Sequence, residues 1–327
     1  MSSLKKTEDD RKTVEYLKEV LTKCLAIREG EKVLVVADTQ SLEVAEYFLK
    51  ASYALSSNSS IIVMEPRERN GQEPTKEVSE AMIRPDVELL LTSKSISHTD
   101  ARRNALKSGA RLASLPGLTK EMITSGGLTA DYDIVKKITD KVAKEISGTS
   151  VVKIESKLGT NLTLEISGQK IYGDTGIYVK PRSWGNLPAG EVCLAPVEGV
   201  GEGLFVVDGS MIDSLNDTIE IEISEGRAVS IRGGKEAEKL EQVLEKSGSK
   251  AFMLAELGFG TNPQARLIGN VLEDEKVLGT IHIAFGNNIS FGGTNDVPVH
   301  IDGVMKEPNI FFDKKLVMEK GKFLFEF

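Results

Sequence analysis

Between residue 32 and about residue 148 the chain alternates short, continuously apolar runs with stretches of helical periodicity, and this alternation narrows the possible folds more than any other feature. The run KVLVVAD at 32–38 is apolar almost throughout, as expected of a strand buried on both faces of a parallel sheet. After the turn-forming Thr39 and Ser41, Val44, Ala45, Phe48 and Leu49 recur at helical spacing. SSIIVMEP supplies a second strand, a charged stretch from Thr75 a second helix, and DVELLLTS a third strand. Residues 98–109 predict a helix closed by glycine, followed by a short strand in ARLASLPG and a last helix ending near Ile146. In that helix Ile134, Ile138, Val142 and Ile146 lie four apart and read as one apolar stripe. The pattern predicts an α/β domain over residues 1–148, a doubly wound and mostly parallel sheet with helical connections.

Beyond residue 148 the texture changes to short alternating runs divided by glycine-rich turns, as in SVVKIESKLGTNLTLEISGQKIYGDTG. Helical periodicity returns around 237–246, before strand-like runs in AFMLAEL, GTIHIAFG, VPVHIDGV and NIFF. Residues 149–327 therefore read as a second, α+β domain, and a length of 327 residues suits two cores better than one. No internal repeat or low-complexity segment interrupts the chain.

Forty-nine acidic and forty-one basic side chains leave a formal charge of −8, with no basic stripe of the kind a phosphate backbone requires. Nucleic acid is excluded as a partner on that ground. The opening MSSLKKTEDDRKTVEYL has no apolar run suited to a signal peptide, and no segment approaches eighteen uninterrupted apolar residues. A cytoplasmic protein without membrane contact is the expectation. Cys24 and Cys193 are far apart and form no CxxC pair, so they suggest buried small hydrophobes rather than a disulfide or a thiolate zinc site.

The first βα turn, Asp38-Thr39-Gln40-Ser41, lacks the glycines that let backbone approach a pyrophosphate, and GxxxxGK[ST] and GxSxG are both missing. Chemistry is concentrated instead in the C-terminal half. Of three histidines, His282 and His300 lie eighteen residues apart in strand-like segments. In VPVHIDGV, His300 and Asp302 are two apart, so on a strand both leave the same face and can converge on one ion. A hydrogen-bonded core histidine beside an aspartate that opens a glycine turn explains the same pair without metal. His282 breaks an apolar strand between Ile281 and Ile283, as a satisfied core imidazole also would. Glu256 interrupts AFMLAELGFG, where a carboxylate is costly unless paired or bound to a cation, and Glu191 enters another apolar strand. Together the five offer two imidazoles and three carboxylates, enough for two divalent ions. His98, beside Thr-Asp at a helix start, reads as a capping or interface residue, and Glu273-Asp274-Glu275 as a solvated turn.

Four of these segments share an order. GNLPAGEVCLAP, AELGFGTNP, DEKVLGTIHIAFGNN with FGG, and VHIDGVM resemble, in sequence and rough spacing, the metallo-aminopeptidase family of aminopeptidase T and aminopeptidase S. The resemblance covers most of the C-terminal half and reaches weakly into SHTDARRNALKSGARLASLPG. It implies an α/β N-terminal domain, a metal-binding C-terminal domain and a homodimer. Motif by motif it implies Glu191, Glu256, His282, His300 and Asp302 as ligands of divalent ions, two in number and zinc, cobalt or manganese in kind. The implied reaction is removal of N-terminal residues from a peptide substrate by a metal-activated water, with Glu191 or Glu256 as the catalytic proton shuttle. One position departs from the pattern: the family has a metal-binding tyrosine seven residues after the strand histidine, and here Ile289 stands there, near Asn288 and Ser290. A related branch of the fold resembles the ferrous dihydroxypyridine ring-cleaving dioxygenases, which hold a single iron. In that alternative His282, His300 and Asp302 supply a two-histidine, one-carboxylate face for Fe(II). A third reading is a binding relative that has kept the fold and lost the chemistry.

Overall fold

The computed structural model describes residues 2–327. Its chain divides into two compact units, one running to Tyr132 and taking back Gly176–Ala189, the other formed by Asp133–Thr175 and Gly190–Phe327. A single boundary near residue 148 is not what the contacts draw, and the reason lies in two elements. Ile138, Val142 and Ile146 of the helix Tyr132–Ile146 belong to the core of the second unit. The three-residue strand Trp184–Asn186 returns to the first unit, pairing parallel to Arg111–Ser114 through Leu112 and Trp184.

The first unit is built on a five-stranded parallel sheet in the order Ser59–Met64, Val33–Asp38, Val87–Leu91, Arg111–Ser114, Trp184–Asn186. Val33–Asp38 is buried at all six positions, which is why its sequence is apolar rather than alternating. Asp38 closes that strand and spends its carboxylate on the loop beyond: it accepts from the Gln40 and Ser41 amides at 3.1 and 2.9 Å, and from the Ser93 amide and hydroxyl at 2.6 Å each. The helix Asp100–Ser108 is capped by Thr99, which accepts from the Arg102 amide, and ends at Gly109 with φ at 112°. His98 lies just outside that helix, edge-on to Trp184 at 6.3 Å. A helix over Ser2–Leu25 precedes the sheet and buries Leu17, Val20, Leu21, Cys24 and Leu25, three or four residues apart.

The stripe on Tyr132–Ile146 is one residue out of register at its start: Ile134 is half exposed, and Val135 is buried in its place. Four-residue steps overshoot the 3.6-residue turn by roughly 40° each, so three of them rotate the stripe by about 120°. One end had to leave the core. No described helix is long and apolar enough to cross a membrane.

The second unit packs two antiparallel sheets, of eight and seven strands, on a shared apolar core. Phe259 from one sheet meets Phe312 from the other edge-to-face at 5.9 Å. In the seven-stranded sheet the order His300–Met305, Ile281–Gly286, Leu254–Gly260, Glu191–Leu194, Tyr172–Asp174 brings five separated segments side by side. The mixed α/β class is thus observed, with one parallel sheet and separate antiparallel ones.

Candidate metal centre

Alternation divides the seven-stranded sheet into an apolar and a polar face. Val192, Leu194, Leu257, Phe259, Ile281, Ile283 and Phe285 enter the core, so their neighbours Glu191, Glu256, His282, His300 and Asp302 leave on the other side. Glu256 reaches that side through an irregularity. Leu254 pairs with Phe285 and Glu256 with the adjacent Ala284, so one extra residue, Ala255, is inserted on this strand. Leu254 and Glu256 would share a face on a regular strand. The bulge sends the leucine into the core and the carboxylate outward.

Small residues make room on the polar face. A Cβ at Gly258, which pairs with His282, would lie 2.0 Å from the His282 Nε2. Ala284 stands between Glu256 and Asp302 on the neighbouring strands, so two carboxylates can lean over a single methyl group.

All five residues singled out in the sequence meet there. His300 Nε2 lies 2.9 Å from Glu256 Oε2 and 3.3 Å from Asp302 Oδ1. His282 Nε2 lies 3.5 Å from both Glu256 Oε1 and Glu191 Oε2. Both imidazoles therefore touch the same carboxylate. His300 Nδ1 is 2.7 Å from the Asn287 carbonyl, which fixes that nitrogen as the proton carrier and turns Nε2 toward the carboxylates. Phe291 stacks on the His300 ring at 5.4 Å, and Tyr172 meets Phe291 edge-on. Ile289 is exposed in the short turn Ile289–Phe291 and brings no ligand. Asn288 is committed to the loop, donating to Glu198 and accepting from the Asn295 amide.

Two further residues belong to the centre. Glu273-Asp274-Glu275 is not a solvated turn: Glu273 and Asp274 are buried, accepting from the backbone amides of Arg266, Ile268 and Gly269. Glu275 points toward the centre, and Lys276, 1 % exposed, places Nζ 2.5 Å from Glu275 and 2.7 Å from Glu191. Nothing in the sequence separates this glutamate and lysine from an ordinary charged turn.

Four nearly buried carboxylates share the centre with one lysine ammonium, which faces only Glu191 and Glu275, and that imbalance shapes the titrations. Burial pushes the Glu275 carboxyl up to about 8 against the pull of Lys276, and raises Glu191 in the same way. Burial also opposes charge on Glu256 and Asp302, yet the imidazoles of His282 and His300 outweigh it and hold both carboxyls below their usual range. Burial disfavours the imidazolium of His282, but Glu256 and Glu191 override it and raise His282 to about 9. His300 is likewise raised, chiefly by Asp302 and Glu256, against its own burial. In a metal-free centre imidazole protons thus supply positive charge that the carboxylates demand.

A divalent cation answers the same demand. Neither ring nitrogen of the buried His282 forms a hydrogen bond among the described residues. Two sets of three ligand atoms, Glu191 with Glu275 and His282, and Glu256 with His300 and Asp302, each lie within 4.8 Å of one another. Mixed imidazole and carboxylate donors at this spacing fit a first-row divalent ion.

The model of the family described as NicX, 2,5-dihydroxypyridine 5,6-dioxygenase, matches residues 12–325. The chain belongs to that dioxygenase family. A 2,5-dihydroxypyridine 5,6-dioxygenase of Pseudomonas putida is 22% identical over 249 residues, 72% of this chain and 70% of the relative. The solved structure of 2,5-dihydroxypyridine dioxygenase from the same organism superposes with a TM-score of 0.82 at 18% identity, covering 97% of this chain and 98% of that one. Wild-type AmpT from Thermus thermophilus superposes at 0.70 and 19% identity, over 96% of this chain and 100% of that one. The dioxygenase family and the aminopeptidase therefore share this fold. Membership of the dioxygenase family overturns the expected metallo-aminopeptidase: the chain groups with oxidoreductases, and the hydrolase and protease assignment is withdrawn. The motifs did not separate the two readings because both belong to chains of this one fold.

Proposed function

We propose that the chain is a ring-cleaving dioxygenase that holds one Fe(II) through His282, His300 and Asp302 and acts on a dihydroxylated pyridine. What supports this reading above all is the position of His282 beside the His300-x-Asp302 strand, two imidazoles and a carboxylate on one sheet face, in a chain whose family carries that activity in its description. Bound iron would supply the one-electron chemistry by which dioxygen reacts with a closed-shell ring.

The protein's own groups have separable tasks. The carbonyl of Asn287 keeps the His300 proton on Nδ1, leaving Nε2 to bind. Burial raises Glu191 above the ordinary carboxylate range, and its ionised Oε2, on the His282 side, is placed to take the proton of a ring hydroxyl as the substrate docks. Phe291 covers one face of His300 and holds that ring in plane. Glu191, Glu256 and His282 are buried, which keeps bulk water from their carboxylate and imidazole atoms.

Metal-free protein reloaded anaerobically with Fe(II) and given 2,5-dihydroxypyridine should consume one oxygen per ring lost when air is admitted. Zinc-loaded protein should not. Absence of oxygen uptake with a panel of dihydroxypyridines, at full iron occupancy, would overturn the proposal.

A further inference from the structure

We propose that Lys276 is a built-in cation that occupies the electrostatic place of a second metal ion and so limits the centre to one ion per chain. The identity of that one ion rests on the dioxygenase reading; the count does not.

The six ligand-bearing residues divide into two sets, each able by geometry to hold an ion. The sets are not equivalent. In Glu256, His300 and Asp302 the groups that face one another are imidazole and carboxylates. In Glu191, Glu275 and His282, both carboxylates already face an ammonium, with Nζ of Lys276 2.7 Å from Glu191 Oε1 and 2.5 Å from Glu275 Oε1. A lysine ammonium has no lone pair and cannot ligate, so it satisfies these carboxylates by charge and hydrogen bonds alone.

Lys276 is also anchored where it stands. Its amide donates to the Glu273 carbonyl at 3.1 Å, and its carbonyl accepts from the Asn262 amide at 2.8 Å. Its side chain is 1 % exposed. An ion bound to Glu191 and Glu275 at about 2.0–2.2 Å would share both carboxylates with Nζ and sit only a few ångströms from it. Two positive centres so close in a buried site repel strongly. The ion would have to expel the ammonium, and the cost of burying a displaced lysine charge opposes that. His282 is consequently left to the first set, whose Glu256 it already approaches.

The test counts ions without ring substrate or oxygen. Metal-free protein is equilibrated with excess Mn(II), then examined by elemental analysis and electron paramagnetic resonance. The wild type should hold one Mn(II) per chain with the six-line spectrum of an isolated ion. Lys276→Met, which keeps an unbranched stem and removes the charge, should hold two and show spin coupling between them. If this variant folds only when Mn(II) is present, an ion has replaced the ammonium and the proposal is supported. A wild type that holds two ions, a folded variant that still holds one, or a variant that stays unfolded in millimolar Mn(II) would each overturn it. A protein that holds one Mn(II) yet shows no oxygen uptake with iron leaves the role of Lys276 standing and removes only the dioxygenase assignment.

Discussion

At the scale of single residues, the centre is a problem of charge with two solutions, protons or a metal ion, and the two must compete. His282 in the metal-free fold is raised from 6.5 to about 9 by Glu256 and Glu191. A raised histidine adds stability that is fully present below the unfolded value and is lost as pH climbs through the folded one. Its contribution to metal-free stability should therefore decline between roughly pH 6.5 and 9. Metal binding runs the other way, because ligation requires the neutral ring and releases the proton. Mn(II) affinity should thus rise steadily across that window, and calorimetry in buffers of different ionisation enthalpy should detect the released proton. In His282→Gln the slope should flatten; an unchanged slope would show that His282 keeps its proton and does not ligate. The same charge logic explains which residues the sequence disclosed. His282, His300, Asp302, Glu191 and Glu256 could be picked out because each interrupts or borders an apolar strand, where a polar group needs a reason. Glu275 and Lys276 stand in the charged run EDEK, so nothing local marked the buried lysine or the nearly buried glutamate.

At the scale of elements, strands and helices with long apolar runs were legible, and devices that change phase were not. The bulge at Ala255 is one example: LAELGFG alternates well enough to predict a strand, but only the pairing with Phe285 and Ala284 shows the extra residue that turns Glu256 outward. The strand Trp184–Asn186 is another, too short and too glycine-rich to stand out, although it draws Gly176–Ala189 into the first unit. The helix Tyr132–Ile146 is a third, and it can be tested directly. Ile138 is buried in the core of the second unit, whereas Ile134, one apparent turn earlier, is half exposed. Ile138→Ala should cost about 2–4 kcal/mol through lost burial and the cavity left behind. Ile134→Ala should stay within about 0.5 kcal/mol, as an exposed substitution does. Denaturant unfolding of the two variants measures the difference, and equal losses would contradict the register of this helix.

At the scale of the whole molecule, fold class could be read from the sequence, and the dioxygenase was legible only as the alternative to an aminopeptidase, because chains of both kinds share this fold. Glu191, Glu256, Glu275, Lys276, His282, His300 and Asp302 all belong to the unit formed by Asp133–Thr175 and Gly190–Phe327. An ion that binds only the native centre stabilises by mass action, about 2.7 kcal/mol at a free concentration one hundred times its dissociation constant. For a unit of this size each kcal/mol moves the melting temperature by about 2–4 °C, so a shift of roughly 5–10 °C is expected. Scanning calorimetry of the intact chain with and without Mn(II) should show that shift in the transition belonging to the second unit, and a chelator should reverse it. Lys276→Met should melt lower than wild type without metal and gain more on adding Mn(II), because the ion then restores charge that the lysine otherwise supplies. A chain whose transitions ignore Mn(II) at that excess would mean that the clustered carboxylates are balanced by Lys276 and the imidazole protons without a metal ion.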